Sequence, residues 1–234
     1  MENTIVFTKN TVMPQVERML VAYPNLHIAE THEDSIEITG SIVVHRTFND
    51  YTIRKTYDLK VIIPLGCESL PYVIDSSKYI NETYPHIYTN RMLCLETDIV
   101  IRLRFIEGFD LLAWMDEYVE PYFFSYEYYM EFGQFPFGER SHGALGLIES
   151  YKELLHASDL IQAKNLIEFM LYHNYRGHHD CPCGSGLRIR NCHGIYMLPF
   201  YKNNNLMTQL AIDLNSLENE LNEYKKRINK NKTK

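Results

Sequence analysis

The chain has 234 residues and a formal net charge of −7, with 45% hydrophobic and 23% charged residues. Those proportions exclude a globally disordered chain and leave room for a sizeable core. The acidic balance excludes a general pull toward nucleic acid, and no stretch approaches the ~20 apolar residues of a membrane helix. No membrane partner and no direct nucleic-acid binding are therefore expected.

Met1 to Asn10 lacks the basic-then-apolar pattern of a secretory leader. Cys67 and Cys94 are isolated, while Cys181, Cys183 and Cys192 sit close together. That is not the dispersed, even set of a secreted disulfide scaffold, so a cytoplasmic location with reduced thiols is expected. Thr11 to Ala22 predicts a short helix, with Val12, Val16, Met19 and Leu20 at helical spacing and Pro14 in the first turn. Ser35 to Arg46 alternates as a strand, with Ile36, Ile38, Ile42 and Val44 on one face and Gly40 a candidate bulge. Tyr51 to Ile63 predicts its hairpin partner, turned at Phe48-Asn49-Asp50, and Tyr72 to Ile74 a short third strand. Asn81 to Leu95 has no period and reads as irregular.

After Gly108 the pattern turns helical through Phe123, with Pro121 a candidate kink. Tyr126, Tyr128 and Tyr129 read as packing residues. Glu139-Arg140-Ser141-His142-Gly143 reads as a polar loop that pairs with and caps the helix after it. Two helices are expected over Ala144 to His156 and Asp159 to His173, the second capped by Ser158. The tail carries Met207, Leu210, Leu214, Leu217, Leu221, Tyr224 and Ile228 at alternating spacings of three and four, a heptad seam, and ends in basic residues. Strands and helices are segregated, which predicts an α+β fold.

Two segments carry chemistry. In Cys181-Pro-Cys183-Gly-Ser-Gly-Leu-Arg-Ile-Arg-Asn-Cys192-His193, three thiols and one imidazole form a complete tetrahedral set for structural Zn2+. Gly184 and Gly186 allow the tight turn round the metal, and the adjacent His178 and His179 read as solvated or outside the ligand set. This segment, through Gly194, resembles the SEC-C motif, which is appended to unrelated domains as a stabilising or protein-binding knuckle.

The second segment is Tyr84-Pro85-His86-Ile87-Tyr88-Thr89-Asn90-Arg91-Met92-Leu93-Cys94-Leu95-Glu96. It resembles the active-site region of ubiquitin-conjugating enzymes, in which a His-Pro-Asn triplet begins ten residues before the catalytic Cys. Tyr84, Pro85 and His86 stand at the triplet positions, and Pro64, Pro71 and Tyr72 resemble the punctuated loop upstream. The resemblance covers residues 10–130. It implies a ubiquitin-conjugating-enzyme-like antiparallel meander sheet packed by helices, a helical C-terminal extension and a zinc knuckle. The expected layout is residues 1–135, 136–175, 176–198 and 199–234.

The implied activity is thioester formation on Cys94, with the His86 ring N–H as oxyanion donor and Asp98 or Asp110 as candidate acid–base groups. Cys67 reads as structural. The whole chain resembles bacterial conjugating-enzyme homologues of antiphage operons of the cyclic-oligonucleotide (CBASS) type. The implied partners are a protein donating its C-terminus, a nucleotidyltransferase in such operons, and a protein acceptor. The rival expectation is a non-catalytic protein-binding module that docks through the knuckle.

Overall fold

The computed structural model describes residues 5–232. Residues 1–4, part of the stretch read for a leader, and 233–234 lie outside the described residues, as do the side chains of Leu221, Tyr224, Ile228 and most of the basic tail. The described chain forms two compact units. One comprises Ile5–Glu96 with Glu107–Glu139; the other comprises Thr97–Ile106 with the chain from Arg140 onward. The segment Thr97–Ile106, within the expected 1–135 stretch, groups with the C-terminal helices.

The first unit opens with α1 (Lys9–Ala22). It starts two residues earlier than its apolar spacing predicts, because Thr8 and Thr11 exchange side-chain and backbone hydrogen bonds in a capping box. Pro14 therefore lies inside the helix. A meander follows: β1 (Leu26–Thr31), β2 (Ser35–Phe48), β3 (Tyr51–Pro64) and β4 (Tyr72–Asp75), antiparallel and in sequence order. Asn49 and Asp50 both take positive φ at the β2–β3 turn, as a two-residue hairpin with this strand twist requires.

The alternation fixes which face is buried: Ile36, Ile38, Ile42 and Val44 of β2 face the core with Ile53, Tyr57, Leu59 and Val61 of β3. Gly40 is not a bulge, since β2 pairs with β3 in unbroken register through it. Its φ is +137°, and a Cβ there would stand 2.1 Å from the Asn25 carbonyl oxygen. The register shift lies in β1 instead, between Ile28 and Glu30.

Helix α3 (Leu111–Trp114) runs through a π-helical turn (Met115–Val119) into α4 (Glu120–Phe132). The wide turn immediately precedes Pro121, where the proline ring would otherwise meet the Glu117 carbonyl. α4 covers the sheet, with the Phe123 ring stacked on Tyr57 at 4.4 Å.

The second unit is helical: α2 (Asp98–Arg104), α5 (Gly143–Leu154), α6 (Leu160–Tyr172), α7 (Gly194–Tyr201) and α8 (Asn204–Lys232). Asp159 rather than Ser158 caps α6, accepting the Gln162 N–H at 2.8 Å. The polar loop does pair with the helix after it, through Arg140–Glu153 and Ser141–Glu149. The cap of α5 is supplied elsewhere, by Glu220 of α8, which accepts the Ala144 N–H at 2.8 Å. The described half of the heptad seam folds back on its own unit: Leu210 and Leu214 are buried with Ile99, Tyr151, Leu166 and Phe200. No helix among the described residues is long and apolar enough to cross a membrane.

Candidate functional sites

The Cys94 segment is irregular, as its sequence predicts, but it is pinned. Tyr88 N–H donates to the Met92 carbonyl (2.9 Å), and Arg91 closes the turn at φ +68°. Leu93 N–H then donates to the Val73 carbonyl at 2.9 Å, and Ile74 bridges Met92, so the segment extends the free edge of β4. A buried carboxylate holds this arrangement. Asp75, 2% exposed, accepts from the backbone N–H groups of Tyr79 (3.1 Å) and Ile80 (2.9 Å), from the Ser77 hydroxyl, and from the Arg91 guanidinium. Arg91 also donates to the Ile80 carbonyl. Nothing in the sequence marked Asp75 or Arg91 as a pair, because they meet only through the fold, sixteen residues apart.

Cys94 is half-buried. Its N–H donates to the His86 carbonyl at 2.9 Å, and that carbonyl also accepts from the Tyr122 hydroxyl at 2.9 Å. The backbone of His86 thus ties the cysteine to α4. The His86 ring lies edge-on to Tyr84 (5.6 Å) and Phe135 (5.1 Å). Tyr84 is buried among Tyr122, Tyr126 and Tyr129. The polar hydrogen found on the sulfur comes from Tyr88, whose hydroxyl donates to Cys94 Sγ at 3.6 Å. Burial pushes the Cys94 thiol up, the Tyr88 hydrogen bond pulls it down, and the Glu96 carboxylate adds to the rise.

Asp110 is committed elsewhere: it caps α3 through the Leu112 and Ala113 N–H groups and pairs with Arg18 at 3.2 Å. Asp98 opens α2 in the helical unit, whereas Cys94 belongs to the sheet unit. Cys67 is exposed, so it does not pack in a core as a structural thiol would.

In the helical unit, the chain from Gly177 to Ile189 doubles back on itself. Cys181 N–H donates to the Leu187 carbonyl at 2.8 Å, Ile189 N–H to that of His179 at 2.9 Å, and Asp180 bridges Arg188. Gly184 and Gly186 take φ of +81° and +74°, the left-handed values that let the loop reverse between its cysteines. A 3-10 turn (Ile189–Asn191) then delivers Cys192 and His193 to the start of α7.

The ligand atoms of Cys181, Cys183, Cys192 and His193 all lie within 4.8 Å of one another. His193 Nδ1 is 3.3 Å from Cys181 Sγ and 3.2 Å from Cys192 Sγ, and the Cys183 and Cys192 sulfurs are 3.5 Å apart. Zinc–sulfur and zinc–nitrogen bonds of ordinary length give tetrahedron edges of about 3.6–3.8 Å, so these three edges lie within a few tenths of an ångström of a metal-binding tetrahedron. Burial pushes the Cys181 thiol up to about 11. Burial also acts on Cys183, but hydrogen bonds from the Ser185 hydroxyl and backbone N–H and from the Cys181 and Cys192 thiols together outweigh it and bring that thiol down to about 6. His178 and His179 are exposed and face each other edge-on at 4.7 Å, outside the four-atom set.

Comparison of the chain with protein-family models, with curated proteins and with solved structures found no match.

Proposed function

We propose that the chain is a ubiquitin-conjugating-enzyme-like transferase that carries the C-terminal acyl group of a partner protein as a thioester on Cys94. One observation carries the reading: a half-buried cysteine on a segment pinned to a sheet edge, with a hydroxyl donor on its sulfur. The Tyr84-Pro85-His86 triplet ten residues upstream supports it, as does the helix-then-meander order before it.

In the first step the Cys94 thiolate adds to the carbonyl carbon of an incoming thioester, and the donor's thiolate leaves. In the second an acceptor amine attacks that carbon, loses its proton to a base, and Cys94 leaves as thiolate. The donor and acceptor proposed are a nucleotidyltransferase C-terminus and a second protein, in bacterial antiphage defence. The Cys181, Cys183, Cys192 and His193 set would hold a structural zinc ion. A closed four-ligand site leaves no position for substrate, so the metal would order the knuckle rather than react.

Trapping tests the reading. The purified chain, incubated with an activated C-terminal thioester of an operon partner, should gain an adduct that thiols remove, and the Cys94→Ser variant a stable ester. Absence of both with every operon partner would sink it.

A non-catalytic protein-binding module of the same fold is the second reading. The upward push of burial on the Cys94 thiol favours it. Under that reading Cys94 resists alkylation in the folded protein and reacts at an ordinary rate only after unfolding.

A further inference from the structure

The four ligands of the knuckle are not equally covered. Cys181 and His193 are 4% and 9% exposed, and Cys181 packs in the core of the helical unit with Ile189, Met197 and Phe200. Cys183 and Cys192 are half-buried and border the exposed turn Gly184–Leu187. Their sulfurs stand 3.5 Å apart, with the Ser185 hydroxyl 3.2 Å from one and 3.5 Å from the other. A disulfide between them needs an approach of only about 1.5 Å. The alternative pair Cys181–Cys183 would close a ring round Pro182 alone, whose fixed φ leaves little room to adapt. Cys183 lies in the reversing loop, whereas Cys192 follows the 3-10 turn that leaves it, so nine residues of chain separate the pair.

The geometry points to Cys183 and Cys192 as a peroxide-sensitive thiol pair whose oxidation discharges the metal. The discharge rests on the metal reading above; the pairing itself does not. One thiolate attacks the peroxide O–O bond, becomes a sulfenic acid and releases hydroxide. The second attacks that sulfur, forming the S–S bond and breaking S–O, and a second hydroxide leaves. Two electrons pass from the two sulfurs to the peroxide, and two protons from solvent turn the hydroxides into water. A bound metal ion would then keep only Cys181 and His193 of its four ligands, too few to hold it.

The test uses the full-length protein loaded with zinc and treated with hydrogen peroxide. Metal release is followed with a chromogenic chelator, and thiols are mapped by differential alkylation and mass spectrometry. The expected result is loss of one metal ion per chain together with a Cys183–Cys192 disulfide, with Cys181 left as a free thiol. A reductant with added zinc should restore the metal. No release, a disulfide that includes Cys181, or release with Cys183 and Cys192 still free would each overturn the inference. Protein that binds no zinc before treatment would overturn the metal reading and with it the discharge. Mapping the same peroxide-treated protein then decides the pairing, which a Cys183–Cys192 disulfide upholds and any other outcome overturns.

Discussion

Cys94 sits under opposed influences. A thiol taken from water loses solvation chiefly in its charged form, so burial raises it, and the Glu96 carboxylate adds to the rise. The Tyr88 hydroxyl favours the thiolate by donating to it. Alkylation follows the thiolate fraction. Tyr88→Phe, which removes the donor and keeps the ring, should therefore slow iodoacetamide labelling of Cys94 several-fold at neutral pH and move the midpoint of its pH–rate curve upward. An unmoved midpoint would mean that Tyr88 does not touch the sulfur in solution. In the sequence Tyr88 only continues the resemblance, which implies the donor role for His86. What it could not show is that the His86 carbonyl, not its ring, makes the hydrogen bonds that fix the cysteine's backbone. Whether a backbone or a ring meets a neighbour depends on the path of the segment, and Asp75 sets that path from another element.

Elements with a long, one-sided apolar period were legible: α1, β2, β3 and the first half of α8 bury most of the residues their spacing selects, with Leu20, Tyr51 and Met207 only partly covered. β1 was not, because as an edge strand it buries only Leu26 and shows no alternation. α2 is short and carries Arg102 on its buried side, so its pattern lacks a clean face. α7 follows the knuckle at once and is apolar all round, with Pro199 inside.

The same limit applies to buried polar links between helices. Asp213 of α8 accepts from the Tyr151 hydroxyl of α5 at 2.7 Å and from the Gln209 amide at 2.8 Å. Burial pushes its carboxyl up against both hydrogen bonds. A carboxyl raised in the folded state binds its proton more tightly there than in the unfolded chain. Its contribution to stability is therefore full below the unfolded value and is lost as pH rises through the folded one. The urea midpoint of the helical unit should rise on going from neutral to mildly acidic pH, and Asp213→Asn should flatten that rise. A slope unchanged by the substitution would place the titration on another group.

At the scale of the whole molecule, the chain leaves the sheet unit at Glu96, contributes α2 to the helical unit, and returns at Glu107. The candidate residues divide the same way, with Cys94 in one unit and the Cys181, Cys183, Cys192 and His193 cluster in the other. The helical unit's core includes Cys181 and Ile189 from the knuckle itself, so the knuckle is part of that core rather than an ornament on it. The Gln162 amide of α6 also donates to the Cys183 carbonyl at 3.2 Å.

Structural zinc contributes about 10–16 kcal/mol in zinc-finger peptides, as much as the ~5–15 kcal/mol that holds a whole domain folded. Without metal, three sulfurs and an imidazole are left crowded within 4.8 Å, with no cation to hold them together. Removing the metal with a chelator, or a ligand by Cys183→Ser, should therefore abolish amide-exchange protection in residues 177–193. It should also lower protection in α7, which begins at the residue after His193. The β2–β3 ladder draws its protection from its own paired backbone and from α4, so it should stay protected in the same sample. Knuckle amides that remain as slow as before would show that the four side chains are held by packing alone, and that the metal has no part in the fold.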